Sequence, residues 1–295
     1  MLQNAPKTAF DGLWRSLLPR YDEGEARSVI RWLLEVCFGL SMTDIVCGAL
    51  ECLTVSEQQR LLDMHQRLLE GEPVQYVAGV ADFGPRQFCV APGVLIPRPE
   101  TYELCQWVRA EWGDAQPAAC KPQAKRRLLD IGTGSGCIAC TLAADLPDVS
   151  VTAWDISPVA LDIAKENAQR AGVGVTFEQR DMLQVQYGSD AGRWDVIVSN
   201  PPYILDHEAE DMADWVLDYE PEIALFVPDD DPLLFYLHIS NYAQSALKEG
   251  GLLFFEINPL YDEHIEDILL GLGFDDIEVR EDQFGKNRFI KARWH

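Results

Sequence analysis

The segment Asn200-Pro201-Pro202-Tyr203 directly follows an apolar run, residues 194–199, that is typical of a buried strand. Two consecutive prolines fix their own φ and have no N–H, and the first disfavours helix at the residue before it. The turn is therefore rigid and presents two acceptors, the side-chain oxygen of Asn200 and the main-chain carbonyl of Pro201. These acceptors suit the two N–H bonds of a planar amino group, and Tyr203 can lie against its flat face. We predict that the substrate binds at Asn200, Pro201, Pro202 and Tyr203, with Asn200, Pro201 and Tyr203 as the catalytic groups.

A glycine-rich loop follows an earlier predicted strand and opens a helix. Gly132, Gly134 and Gly136 allow positive φ and close approach of a ligand, and the helix N-terminus offers unpaired N–H groups. The next strand ends in Asp155, whose carboxylate can accept hydrogen bonds from ribose hydroxyls. The spacing is not Gly-x-Gly-x-x-Gly, and no Lys-Ser or Lys-Thr pair follows to hold a triphosphate. We therefore predict a site for a nucleoside without a polyphosphate.

Asp181, after the third predicted strand, could face the amino group of the base or could be a surface turn acid. The turn that holds Asn200 should emerge at the reactive end of the same crevice, because ligands of doubly wound sheets lie at the carboxyl ends of the strands. The predicted cofactor-binding residues are Gly132, Thr133, Gly134, Ser135, Gly136, Asp155, Asp181, Met182 and Asn200.

The elements that position these residues alternate between strand and helix from about residue 127 onward. Seven apolar strand-like runs with intervening helical stretches predict an α/β fold with a doubly wound, mostly parallel sheet. Residues 10–70 have helical spacing, residues 73–98 contain short β-like pieces around glycines, and residues 113–127 resemble a boundary loop. We predict a helical domain at 1–72, a hairpin connector and linker at 73–124, and a nucleoside-binding domain at 125–295.

Composition narrows the class of function. The chain has 295 residues, of which 47% are hydrophobic, and 48 acidic against 24 basic side chains give a net charge of −24. Nucleic acid binding depends on cationic side chains, so this charge weighs against a large duplex footprint without excluding a local basic patch. No signal peptide or membrane span is evident. We expect a cytoplasmic protein that works as a monomer.

The eight cysteines lack the spacing of a disulfide framework or zinc site, so no metal is predicted. Cys137 and Cys140 have thioredoxin-like spacing, but they stand inside a predicted helix without a second pair or a histidine nearby. A role as small core residues is the simpler interpretation. His207 reads as part of an acidic, solvated loop.

Taken together, the chain resembles the S-adenosylmethionine-dependent methyltransferases that act on planar amino groups. More narrowly, it resembles the HemK/PrmC family of peptide chain release factor glutamine methyltransferases. The resemblance covers nearly the whole chain and rests on segments in the family's order: "GEPVQYVAG", "LIPRPET", "LLDIGTGSGCIA", "VSNPPYI", "YEPEIALF" and "DQFGKNRF". The "IPRPET" and "YEPEIAL" segments are the most specific. Tyr102, where the family usually has an acid, and Met182, where a bulkier residue is common, depart from the pattern.

The resemblance implies a class I methyltransferase fold, Rossmann-like with a seven-stranded sheet, and S-adenosylmethionine as cofactor. It implies N5-methylation of the glutamine in the Gly-Gly-Gln loop of class I release factors, with the helical domain docking that protein partner. Asn200 and Pro201 would hold the glutamine NH2 and align it for in-line displacement. No general base is required before transfer, since the proton can leave afterwards.

Three alternatives stay open at this point. A nucleic acid adenine-N6 methyltransferase would use the same turn on a flipped base. A ribosomal protein glutamine methyltransferase would share the chemistry but lacks the "RPET" segment. A non-catalytic adaptor would keep the fold alone, and the intact Asn200, glycine loop and Asp155 argue against it.

Overall fold

The computed structural model describes residues 9–113 and 125–295. They belong to two compact units, Met1–Ala81 and Asp82–His295. The predicted boundary loop lies, for residues 114–124, outside the described residues, and so does Cys120. The predicted domain limits at residues 72 and 124 stay predictions. Within the described ranges, no helix has the length and apolar character that crossing a bilayer requires.

The first unit is helical, as the spacing predicts. Its helices are α1 (Ala9–Ser16), α2 (Glu23–Phe38), α3 (Met42–Val46), α4 (Val55–Glu70) and α5 (Val74–Ala78). Local signals set the limits of α4: Thr54 and Glu57 form a reciprocal capping box at its start, and Gly71 adopts a left-handed conformation at its end. The buried side chains of α2, which include Ile30, Leu33 and Leu34, pack into one apolar core.

The second unit is built on a seven-stranded sheet. Two strands, β1 (Val80–Phe83) and β2 (Arg86–Cys89), pair separately as the predicted hairpin. The remaining elements in chain order are α6 (Pro99–Gly113), β3 (Arg126–Ile131), α7 (Cys137–Asp145), β4 (Val149–Asp155), α8 (Pro158–Ala171), β5 (Val175–Gln179), β6 (Trp194–Ser199), β7 (Ile204–Leu205), α9 (Asp214–Tyr219), β8 (Phe226–Val227), α10 (Leu234–Ala246), β9 (Leu247–Glu256), α11 (Asp262–Gly271), β10 (Asp275–Glu281) and β11 (Asn287–Arg293).

The strand order is β10-β11-β9-β6-β3-β4-β5. The five strands from β9 to β5 run parallel, while β11 is antiparallel to both of its neighbours. The predicted doubly wound, mostly parallel sheet is confirmed. The chain builds outward from β3 through β4 to β5 and then returns to place β6 on the other side of β3. The carboxyl ends of β3 and β6 therefore flank a topological switch point, where such sheets bind ligands.

Two helices fall within the stretch that the sequence analysis assigned to the connector. The longer one, α6, has a proline at its first residue and buries Leu104, Val108 and Trp112. Trp107 on the same helix packs edge-on against Phe254 of β9, with ring centroids 5.3 Å apart. The sequence before α6 is rich in proline, and the sequence after it resembles a linker. For this reason the helix, which covers the sheet, was not predicted. The shorter one, α5, replaces a predicted β-like piece.

Tyr102 on α6 has a packing role. Its ring lies edge-on to Phe83 of β1, with centroids 5.4 Å apart. A side chain on Gly84, which has φ +57°, would overlap this ring. The tyrosine that departs from the family pattern thus covers the tip of the hairpin.

Candidate active site

A cavity of about 250 Å³ opens at the carboxyl ends of the parallel strands. Its lining combines residues that follow β3, β4, β5 and β6. Eight of the residues predicted for cofactor or substrate binding line it: Gly132, Gly134, Asp155, Asp181, Met182, Asn200, Pro201 and Pro202. The structure thus brings together four segments that are up to about 70 residues apart in the sequence.

The glycine loop leaves β3 in a conformation that only glycine adopts easily. Gly132, Gly134 and Gly136 have φ of +73°, +54° and +79°. The main-chain N–H groups of Gly132 and Thr133 both donate to the carbonyl of Trp154 at 2.9 Å, which holds the loop to the end of β4. A Cβ on Gly136 would lie 2.9 Å from that of Ala164, so this third glycine allows α7 and α8 to approach closely.

Asp155 lies at the end of β4 with its carboxylate at the cavity. One carboxylate oxygen accepts from the Gly134 N–H at 2.8 Å, and the other accepts from the Ser157 N–H at 2.9 Å. Burial raises the pKa of Asp155, while these main-chain donors oppose the shift. Each oxygen keeps a further lone pair, so the group can still accept hydrogen bonds from a diol.

Asp181 and Met182 lie beyond β5. The Asp181 carboxylate accepts from the Leu183 N–H at 2.9 Å and from the side-chain amide of Gln184 at 2.7 Å, so it caps a short 3₁₀ turn. Met182 is buried and forms part of the cavity wall. Asp181 therefore caps the turn and also lines the cavity, and its contact with the amino group of a base stays a prediction.

The Asn-Pro-Pro-Tyr turn is held by three hydrogen bonds with neighbouring polar side chains. The Asn200 Nδ2 donates to Thr101 Oγ1 at 3.1 Å, and the Tyr203 hydroxyl donates to Glu256 Oε1 at 3.1 Å. Asn258, which is also buried, donates to the Tyr203 carbonyl at 3.1 Å. Burial raises the pKa of the Tyr203 phenol. The turn is thus fixed by side chains on the side away from the cavity, while Asn200, Pro201 and Pro202 face the cavity.

Four predicted site residues are not among those that line the cavity. Thr133 is buried and donates to Asp130 Oδ2 at 2.6 Å, and the Ser135 carbonyl accepts from Asn167 at 2.8 Å. Gly136 serves the packing of two helices, as described above. Tyr203 lies beneath the turn with its ring against the core on the α10 side of the sheet. In this geometry all four support the loop and the turn.

Asp130, near the end of β3, supports the glycine loop, a role that the sequence analysis did not assign. It is fully buried, and its Oδ2 accepts from Thr133 Oγ1 and from the Ala139 N–H at 3.1 Å. Burial raises the pKa of Asp130 to about 7, against the effect of these two hydrogen bonds. Its place inside the quoted "LLDIGTGSG" segment was the available signal.

One wall of the cavity is formed by two segments that the sequence analysis quoted only as motifs. Val94 and Leu95 come from the "LIPRPET" side, and Pro221 and Ile223 come from the "YEPEIALF" side. Glu220 links them: its carboxylate accepts from Arg98 at 2.6 Å and from the Ile96 N–H at 3.2 Å.

The positions of Cys137, Cys140 and His207 suit structural roles. Cys137 and Cys140 are buried on α7, and burial raises the pKa of each thiol to about 12. No group of three or more potential metal ligands occurs in the residues that the structure describes. His207 pairs with Asp229 at 2.9 Å on the surface.

Comparisons with known proteins identify the family and the fold of this chain. Residues 13–79 match the family model of the PrmC N-terminal domain, and residues 118–218 match that of the methyltransferase small domain. The solved structure of the rRNA methyltransferase RsmC from T. thermophilus has a TM-score of 0.51 at 17% identity, covering 73% of this chain and 50% of that one. This likeness supports the fold alone.

Curated relatives cover nearly the whole chain. A release factor glutamine methyltransferase of Bacteroides thetaiotaomicron is 42% identical over 94% of this chain and 96% of its own length. The enzyme with the same name in Bacillus subtilis is 34% identical over 98% of this chain and 99% of its own. Because identity at this level spans both units and the cavity that joins the glycine loop to the Asn-Pro-Pro-Tyr turn, this chain belongs to the release factor glutamine methyltransferase family.

Proposed function

We propose that this protein transfers a methyl group from S-adenosylmethionine to the side-chain nitrogen of the glutamine in the Gly-Gly-Gln loop of class I release factors. The observation that carries the proposal is the position of Asn200 and Pro201, at the cavity edge and directly after the strand that flanks the switch point. The curated relatives support the choice of substrate.

The cavity residues suit an S-adenosylmethionine-dependent enzyme. The Asp155 carboxylate would accept hydrogen bonds from the ribose hydroxyls, and the loop from Gly132 to Gly136 would lie against the amino acid portion of the cofactor. Trp154, Met182 and Ile239 provide apolar walls for the base. When bound, the cofactor supplies an electrophilic methyl group on a sulfonium sulfur. Asp181 lies where it could meet the exocyclic amine of the base.

The residues of the turn act on the acceptor nitrogen. An amide nitrogen is a weak nucleophile because its lone pair is delocalised into the carbonyl. The side-chain oxygen of Asn200 and the carbonyl of Pro201 accept its two N–H bonds, orient the lone pair and stabilise the positive charge that develops on nitrogen. The acceptor nitrogen would gain the N–C bond as the S–C bond of the cofactor is lost, and it would release one N–H proton to solvent afterwards.

The role of Asn200 can be tested by Asn200→Ala, with Asn241→Ala as the matched control. Asn241 donates to the Leu237 carbonyl one helical turn away and is not part of the cavity lining. We expect Asn200→Ala to lower kcat by at least about 100-fold, as for loss of one transition-state hydrogen bond donor or acceptor. The Kd for S-adenosylmethionine, measured by calorimetry, should change little. Equal loss of turnover and of cofactor binding would contradict this division of roles.

We also propose that the protein works in the cytoplasm as a monomer and that its helical N-terminal unit docks the release factor. One chain carries the whole cavity, and several apolar side chains of that unit are exposed, notably Val46 and Val55 at 74% and 84%. Light scattering should give a mass near 33.2 kDa. Val55→Asp should raise the KM for the release factor while leaving the Kd for the cofactor unchanged.

A further inference from the structure

A chain of hydrogen bonds runs from the catalytic turn into the protein interior. Asn200 Nδ2 donates to Thr101 Oγ1, and Thr101 Oγ1 donates to Glu256 Oε2 at 2.7 Å. The second carboxylate oxygen accepts from the Tyr203 hydroxyl. Thr101 and Glu256 are 3% and 1% exposed, so water does not compete for these contacts. One buried carboxylate on β9 therefore supports both ends of the Asn-Pro-Pro-Tyr turn.

The direction of these hydrogen bonds determines whether the oxygen or the NH2 group of the Asn200 amide points toward the substrate. An ionised carboxylate only accepts, so Thr101 must give its single hydroxyl proton to Glu256. The hydroxyl oxygen can then only accept from Asn200, which turns the amide NH2 toward Thr101. The Oδ1 atom is left for the cavity, where an amide NH2 group of the substrate needs an acceptor.

We propose that Thr101 and Glu256 are positioning residues for methyl transfer, which hold the Asn200 amide with its oxygen toward the substrate nitrogen. The inference rests on the proposed function, in which that nitrogen belongs to a glutamine side chain. We call the hydrogen bonds that link Asn200, Thr101 and Glu256 the relay. Without the relay, the amide could present its NH2 group to the substrate NH2 group, and two donors would face each other.

Protonation of Glu256 on Oε2 reverses the relay. The carboxyl group then donates to Thr101, the hydroxyl donates to Asn200, and the amide turns Oδ1 away from the cavity. Burial raises the pKa of Glu256, while the hydrogen bonds from Thr101 and Tyr203 and the charge of Arg288 oppose the shift. The titratable and charged groups that face Glu256 are Arg288 on β11, Glu100 and Cys105 on α6, Tyr203 after β6 and Tyr236 on α10. The competent, ionised form is lost as pH falls through this raised pKa.

The kinetic test compares Thr101→Val, which removes the hydroxyl at similar volume, with Thr101→Ser, which retains it. Thr141→Val is the matched control, because Thr141 is buried on α7 and its hydroxyl has no hydrogen-bond partner among the described residues. In single-turnover assays on a release factor, Thr101→Val should lower the rate by roughly 10- to 100-fold, the cost of one misdirected buried polar contact. It should also lose the acid limb of the pH profile. Thr101→Ser should keep most of the rate and the limb, and Thr141→Val should behave as wild type.

A second measurement needs no substrate, so it separates this inference from the proposed function. The 15N side-chain amide signal of Asn200, assigned by its absence in Asn200→Ala, should shift with pH in the wild type as Glu256 titrates. The shift should be missing in Thr101→Val. A pH-independent signal in the wild type, or an unchanged rate and profile in Thr101→Val, would overturn the relay. Absence of methyl transfer by the wild type would instead overturn the proposed function.

Discussion

The glycine loop and the Asn-Pro-Pro-Tyr turn meet at Gly132 and Asn200: a Cβ placed on Gly132 would lie 4.0 Å from the main-chain oxygen of Asn200. Gly132 directly follows β3 and Asn200 directly follows β6, and these strands pair in parallel with Ile131 opposite Ser199. The Ser199 hydroxyl strengthens the junction by donating to the Ile131 carbonyl at 2.7 Å. The part of the site that would hold the cofactor and the part that would hold the substrate therefore share one boundary.

A Gly132→Ala change should weaken cofactor binding. Gly132 has φ +73°, and a side chain in this region costs roughly 1–2 kcal/mol in backbone strain. Relief of that strain would move the loop that lines the cavity, so the Kd for S-adenosylmethionine should rise, as measured by calorimetry. Gly172→Ala is the control, because Gly172 has φ +65° at the end of α8 and, apart from its chain neighbours, none of the described residues lies within 4 Å of an added Cβ. Both variants should lose stability, and an equal rise of Kd in both would contradict the local explanation.

A Glu220→Gln change should loosen the cavity wall that contains Leu95 and Pro221. The Glu220 side chain is fully buried and Arg98 is 29% exposed, so removing the charge leaves a partly desolvated guanidinium without its partner. We expect the free energy of unfolding to fall by about 1–3 kcal/mol, less than for a fully buried pair, because solvent screens Arg98. The Kd for the cofactor should also rise.

The control for Glu220 is Glu23→Gln. It removes the ion pair between Glu23 and Arg27, whose side chains are 64% and 50% exposed. It should change the free energy of unfolding by less than about 1 kcal/mol. Chemical denaturation measures both. A cofactor Kd in Glu220→Gln equal to that of the wild type would show that the pair stabilises the fold without shaping the cavity.

Asp130 should make stability depend on pH. The raised pKa of about 7 means that the native carboxyl keeps its proton where the unfolded one, with a pKa near 3.8, has lost it. Because the native state binds more protons between these values, the free energy of unfolding should fall as pH rises from about 4 to 7. The contribution is at most about 4 kcal/mol, at about 1.4 kcal/mol per unit. Denaturation without cofactor should show a smaller pH slope for Asp130→Asn, and an identical slope would contradict this assignment.

The sequence predicts the parts of the fold that rest on local signals. Apolar runs predict β3, β4 and β6, and the glycine spacing predicts the loop after β3. The cavity-lining positions of Asp155 and Asn200 follow from the strand order of a doubly wound sheet. The assignment of individual roles to these residues stays a prediction.

The parts that the sequence does not predict depend on contacts between distant segments. Thr101 contacts Asn200 and Glu256 across separations of 99 and 155 residues, and no local pattern indicates such pairs. The "RPET" segment marked Thr101 only as a motif, and Glu256 was one acid at the end of an apolar strand. The helix α6 was missed because its proline-rich approach is typical of a connector, whereas its buried face becomes apparent only against β9.

The most direct test of the central claim is transfer of labelled methyl from S-adenosylmethionine to a purified class I release factor. The same factor with its Gly-Gly-Gln glutamine replaced by alanine, and duplex DNA, serve as parallel acceptors. Our account predicts label on the wild-type factor alone, at the glutamine nitrogen. Label on DNA would support an adenine methyltransferase, label on the alanine variant would place the reaction at another residue, and absence of label from all three, with cofactor bound, would contradict the proposed function.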